Sequence, residues 1–73
     1  MPPSSPFEDL PERLLRLVPL LAAGKPNDEI ACEAVLTLHT VEVYVSQLKE
    51  LVGARDRVDL VLQARSWLDA AGS

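Results

Sequence analysis

Gly24 and Gly53, with Pro26 close behind the first, interrupt the helical pattern of this chain, and the second helix between them, at about eight residues, could not stand without tertiary packing. Whatever it folds into must be held by packing between short elements. Between the breaks, apolar residues recur at i, i+3, i+4 and i+7, the period of a helix buried on one face. No stretch alternates with a period of two, and no Asn-Gly or Asp-Gly turn occurs. The pattern predicts an all-α fold of four short helices with no internal repeat.

The first helix is expected from about Leu10 to Ala23, with Pro11 at its start, Leu14, Leu17, Val18 and Leu21 on one face, and Gly24 as its stop. Pro19 interrupts it. Its ring removes the bond to the Leu15 carbonyl and should kink or split the helix. The second helix is expected to start at Asn27 as N-cap, with Asp28 and Glu29 at the positive end of its dipole. Its inward residues are Ile30, Ala31 and Ala34. The third is expected from Thr37, an N-cap type, to Val52, with Val41, Tyr44, Val45, Leu48 and Leu51 or Val52 forming its stripe. Only Ala34-Val35-Leu36 separates the second and third helices, the length of a helix-turn-helix turn. The fourth opens at Asp56, a further N-cap, and runs to about Ala70. Val58, Val61, Leu62, Arg65 and Leu68 share one of its sides; Leu60, Ala64 and Trp67 share another. A helix apolar on two sides has more to bury than one small core needs.

Residues 1–9 hold three of the six prolines and two serines, so they read as a disordered tail or linker, with the helix-turn-helix domain spanning 10–73. A chain of 73 residues buries only about 60% of its unfolded surface, and a partner copy would add stability. The net charge of −4 gives no basic footprint over the whole chain. The single cysteine, Cys32, excludes an internal disulfide and points to a reducing cytoplasm. Met1 is followed by Pro2-Pro3-Ser4-Ser5-Pro6 rather than by positive charge and an apolar stretch, so no secretory leader is expected, and no apolar run approaches the roughly 20 residues that span a bilayer.

Catalytic chemistry finds little support. His39 has no nucleophile or carboxylate fixed beside it and reads as a surface histidine. Cys32, among small apolar residues, reads as a buried, inert thiol. Asp28, Glu29 and Glu33 read as a solvated helix start. The three glycines are isolated and form no phosphate cradle. Neither a metal nor another cofactor is expected.

Recognition is the remaining class. Leu20-Leu21-Ala22-Ala23-Gly24, Asn27-x-Glu29-Ile30-Ala31, Thr40-Val41-x-x-x-Val45-Ser46 and Gly53-Ala54-Arg55-Asp56-Arg57 stand in the order and spacing of the LuxR-type (LuxR/NarL/FixJ) helix-turn-helix domain, ungapped from Leu10 to about Arg65. The chain resembles that family. The resemblance implies a bacterial transcription regulator binding double-stranded DNA as a homodimer, with a receiver or sensory domain as a further partner. It makes the third helix the recognition helix in the major groove and sets the second across the phosphate backbone. His39, Glu42, Val43 and Ser46 would then read base edges. Lys25, Asn27, Thr37, Thr40, Gln47, Lys49, Arg55 and Arg57 would follow the backbone. Val58, Val61, Leu62, Arg65, Trp67 and Leu68 would form the dimer contact.

The chain departs from the family in several places. Glu42 stands where relatives often carry Lys, although some have Thr-Val-Glu, and Tyr44 stands where His is usual. Ser46 is basic in some relatives, Leu14 replaces a common Glu, and Pro19 falls among helix formers. Residues 25–52 hold two lysines against five acids. This acidic balance, with Glu42, motivates an alternative: a helix-turn-helix fold repurposed for protein contact or dimerisation, with weak or no DNA binding.

Overall fold

The computed structural model describes residues 7–71. Its helices are α1 (Glu12–Leu15), α2 (Val18–Ala22), α3 (Asn27–Ala34), α4 (Leu38–Val52) and α5 (Arg57–Ala71), with no strand among the described residues. The architecture is the expected four-helix one, with the first helix broken into α1 and α2. The break falls at Arg16-Leu17, and Pro19 explains it. The split puts Pro19 in the first turn of α2, where its missing N–H loses no partner. The Leu17 amide donates to the Leu14 carbonyl at 3.0 Å, a tighter turn, and Leu21 then bonds Leu17 at 2.9 Å to restart the helix.

Gly24 and Gly53 both take the left-handed conformation and close α2 and α4. Lys25 N–H reaches Leu20 O at 3.2 Å and Ala54 N–H reaches Lys49 O at 2.9 Å, the long bond of a Schellman end. The end of α3 has the same geometry without a glycine. Val35 sits at φ 58°, ψ 49°, while Leu36 N–H bonds Ala31 O at 2.9 Å. A β-branched residue there costs roughly 1–2 kcal/mol.

Thr37 caps α4 as expected, its hydroxyl accepting from the Thr40 amide at 3.1 Å. Asp56 likewise accepts from the Asp59 amide at 2.8 Å, and the Asp59 carboxylate accepts from the Arg55 amide at 3.0 Å. Asn27 is not the cap of α3. Pro26 occupies that position, and Asn27 is already helical.

The core draws on every helix. Leu10, Leu14, Leu17, Val18 and Leu21 come from the first part of the chain, and Ile30, Ala31 and Ala34 from α3. Val41, Val45, Leu48 and Val52 form the α4 stripe, while α5 gives Leu60 and Ala64. Tyr44 lies half-buried beside this core, and Leu51 is exposed. Phe7 is also buried, and its ring stacks on Trp67 at a centroid separation of 5.5 Å. Residues 7–9 of the expected tail thus begin with a core side chain; residues 1–6 lie outside the described residues. A tail composition did not reveal this, because the partner ring lies at the far end of the chain.

Three arginines tie the short helices together through backbone carbonyls. Arg16 donates to Ala34 O at 3.1 Å, at the end of α3. Arg65 donates to Ala22 O at 2.7 Å, at the end of α2, and Arg57 to Lys25 O at 2.8 Å in the following turn. The last carbonyls of a helix lack intrahelical donors and carry partial negative charge, so guanidinium groups suit them.

Val35→Gly should stabilise the fold by roughly 0.5–1 kcal/mol, because glycine takes the left-handed conformation without strain. A urea unfolding curve with an unmoved or lower midpoint would show that Val35 carries no such strain.

Candidate nucleic-acid interface

The α3–turn–α4 unit is a helix-turn-helix. Its geometry follows from the α4 stripe. Burying Val41, Val45, Leu48 and Val52 turns the opposite side of α4 outward. His39, Glu42, Val43 and Ser46, the residues expected to read base edges, are exposed there. Leu38 is also exposed, at 47%, but it stands three residues before Val41 and on its side of the helix, left open because it lies in the first turn.

The expected backbone contacts divide into two groups. Thr37 is exposed and Thr40 half-buried, with the Thr37 hydroxyl donating to the Thr40 hydroxyl at 2.8 Å. Lys49 is half-buried and Arg55 exposed; neither side chain has a hydrogen bond or ion pair among the described residues. Gln47 is half-buried, and its Oε1 is enclosed with no hydrogen-bond partner among the described residues. The other three are engaged internally. Lys25 pairs with Glu33 at 2.7 Å, and that hydrogen bond and charge hold its ammonium above the ordinary lysine pKa. Arg57 donates to the Asn27 side chain as well as to Lys25 O, so Arg57 and Asn27 satisfy each other. Sequence spacing did not suggest this pairing, which joins residues thirty apart.

On α5, Val58 is 68% and Leu62 57% exposed, and with Arg57, Val61 and Arg65 they line a shallow groove. Of the residues expected beside them, Trp67 and Leu68 are half-buried against the core, and Trp67 covers Phe7. The side of α5 that carries Leu60 and Ala64 faces the core, and Trp67 follows them.

Cys32 is exposed, contrary to the buried thiol expected. It lies two residues, about 200°, around α3 from the fully buried Ile30, which turns it to solvent. No group of His, Cys, Asp and Glu among the described residues could hold a metal ion. No described helix is long and apolar enough to cross a membrane.

The fold and exposed α4 face define a helix-turn-helix recognition domain. Residues 10–64 match the model of the family described as bacterial regulatory proteins, luxR family, and the chain belongs to that family. It is 34% identical over 58 residues to the oxygen regulatory protein NreC of Staphylococcus aureus, covering 80% of this chain and 27% of that protein. It is also 34% identical over 58 residues to the response regulator protein VraR of Staphylococcus aureus, covering 80% of this chain and 28% of that one. The chain thus spans little more than a quarter of the curated relatives it matches. No solved structure gives a significant match.

The two arginines of the Arg55-Asp56-Arg57 turn should separate in a stability assay. Arg57→Ala removes two charge-assisted bonds and should lower stability by roughly 1–3 kcal/mol. Arg55→Ala should stay within about 0.5 kcal/mol of the parent. Equal unfolding midpoints for the two variants would contradict the internal role of Arg57.

Proposed function

We propose that this chain is the sequence-specific DNA-binding domain of a bacterial LuxR-type transcription regulator, working as a dimer and forming the output part of a longer protein. The carrying observation is the open α4 face, with His39, Glu42, Val43 and Ser46 exposed opposite a buried stripe. The relatives' names support the longer context, since VraR is called a response regulator. A receiver before this domain is therefore the partner we assign.

Val58, Val61 and Leu62 are the contact we assign to the dimer. Two of them are large apolar residues more than half exposed. Arg65, Trp67 and Leu68 serve this contact through their packing: Arg65 holds α5 to α2, and Trp67 and Leu68 brace it on the core. Two copies would present two recognition helices to two half-sites, which raises both affinity and specificity.

Charge sets how tightly this domain holds DNA. Lys25 and Arg57 are engaged within the protein, leaving Lys49 and Arg55 as the cations nearest the recognition unit in sequence. Glu42 repels phosphate. The domain should consequently depend on base contacts and pairing more than on counterion release. The same shortage of phosphate-directed cations favours the second reading, a contact module in which the apolar face of α5 is the working surface.

Fluorescence anisotropy with a promoter-derived duplex separates the two readings. DNA binding should weaken linearly on a log–log salt plot with a shallow slope, about −2 per domain if Lys49 and Arg55 meet phosphates. Leu62→Glu should weaken binding by breaking the pair while leaving the fold intact, as judged by sedimentation and circular dichroism. No response from micromolar protein at low salt would overturn the DNA reading in favour of the contact module.

A further inference from the structure

The outward face of α4 carries an unusual chemical set for a duplex reader. From His39 to Ser46 its exposed side chains are His39, Glu42, Val43 and Ser46, with no lysine or arginine among them. The first cation along the helix is Lys49, which is half-buried. Base edges differ in what they ask of a protein. Guanine offers two acceptors and is read chiefly by arginine or lysine; adenine is read by asparagine or glutamine. Cytosine offers an amino donor that suits a carboxylate, and thymine offers a methyl group that suits an alkyl side chain.

We propose that this α4 face reads pyrimidines: Glu42 accepts from a cytosine amino group, and Val43 packs on a thymine methyl. The inference rests on the DNA-binding reading above and adds the chemical class of its half-site. Three observations on this chain carry it. Glu42 is exposed and has no hydrogen-bond or ion-pair partner among the described residues, so its carboxylate is available. Val43 is 39% exposed, apolar area that a thymine methyl can cover. These residues occupy the first half of the helix, the part that a helix-turn-helix protein presents to base edges. A carboxylate this close to a duplex repels phosphates on every sequence, so it favours DNA only where a donor compensates it. Glu42 therefore acts as a discriminating group, rejecting sites without cytosine at its position.

Selection from a randomised duplex pool at low salt, using the full 73-residue chain, tests this without knowledge of the operator. The parent should enrich half-sites with cytosine at one position and thymine close to it. Glu42→Gln should move that cytosine to adenine, because a glutamine amide pairs with adenine, with a preference change of roughly fivefold or more. Val43→Ala, which leaves a single methyl to reach the base, should weaken the enrichment of thymine at one position and leave the cytosine preference in place. Both side chains are exposed, so the variants should keep the parent's circular dichroism and unfolding midpoint. Enriched sites whose preferences are the same for parent, Glu42→Gln and Val43→Ala would overturn the pyrimidine reading while leaving DNA binding standing. No enrichment by any of the three proteins would remove the DNA reading and this inference with it.

Discussion

Burial of Val41, Val45, Leu48 and Val52 decides which side of α4 meets water. The helix has fifteen residues, and these four recur at the spacing of one face. Rotating the helix would drag Glu42 or Ser46 into the core, where a carboxylate or hydroxyl without a partner costs several kcal/mol. The outward set is thus fixed by the inward one. The turn before α4 completes the arrangement: Val35 reverses the chain in a left-handed conformation, and Thr37 satisfies an orphan amide at the new helix start.

The other helices hold that face in place rather than forming it. α1 and α2 have four and five residues and could not exist unaided. They persist because Leu14, Leu17, Val18 and Leu21 are fully buried and because Arg65 ties Ala22 to α5. Arg16 and Arg57 make equivalent ties to the end of α3 and to the turn before it. The arrangement has a functional cost. Arginines spent on helix ends are unavailable to phosphates, so a domain of net charge −4 keeps few cations for a duplex. On the reading proposed above, its selectivity would come from the exposed groups of α4 and from pairing of copies.

Much of the fold was legible because it is local. Gly24 and Gly53 marked helix ends, Thr37 and Asp56 marked helix starts, and the stripes of α3 and α4 followed from spacing alone. Pro19 announced a break, although its position depended on where the ring could sit without losing a bond. What was not legible is non-local. The arginine ties join residues 18, 32 and 43 positions apart. Phe7 meets Trp67 across nearly the whole described chain. Asn27 looked like a cap because its residue type favours that role, but Pro26 takes the position and Arg57 takes the side chain. At the interface, the outward residues of α4 were readable from periodicity. The occupation of Lys25 and Arg57 was not, since charge counts do not say which cations are already bonded.

The central claim is that the exposed side of α4 is the surface that meets DNA. Titrating a duplex into the protein while following each backbone amide by NMR addresses it directly. The account predicts that the largest shifts fall on Thr37 to Ser46 and on Arg55, with small changes at Leu60 and Ala64. Shifts confined to Val58, Val61 and Leu62, with the amides of His39, Glu42 and Val43 unmoved at saturation, would contradict it.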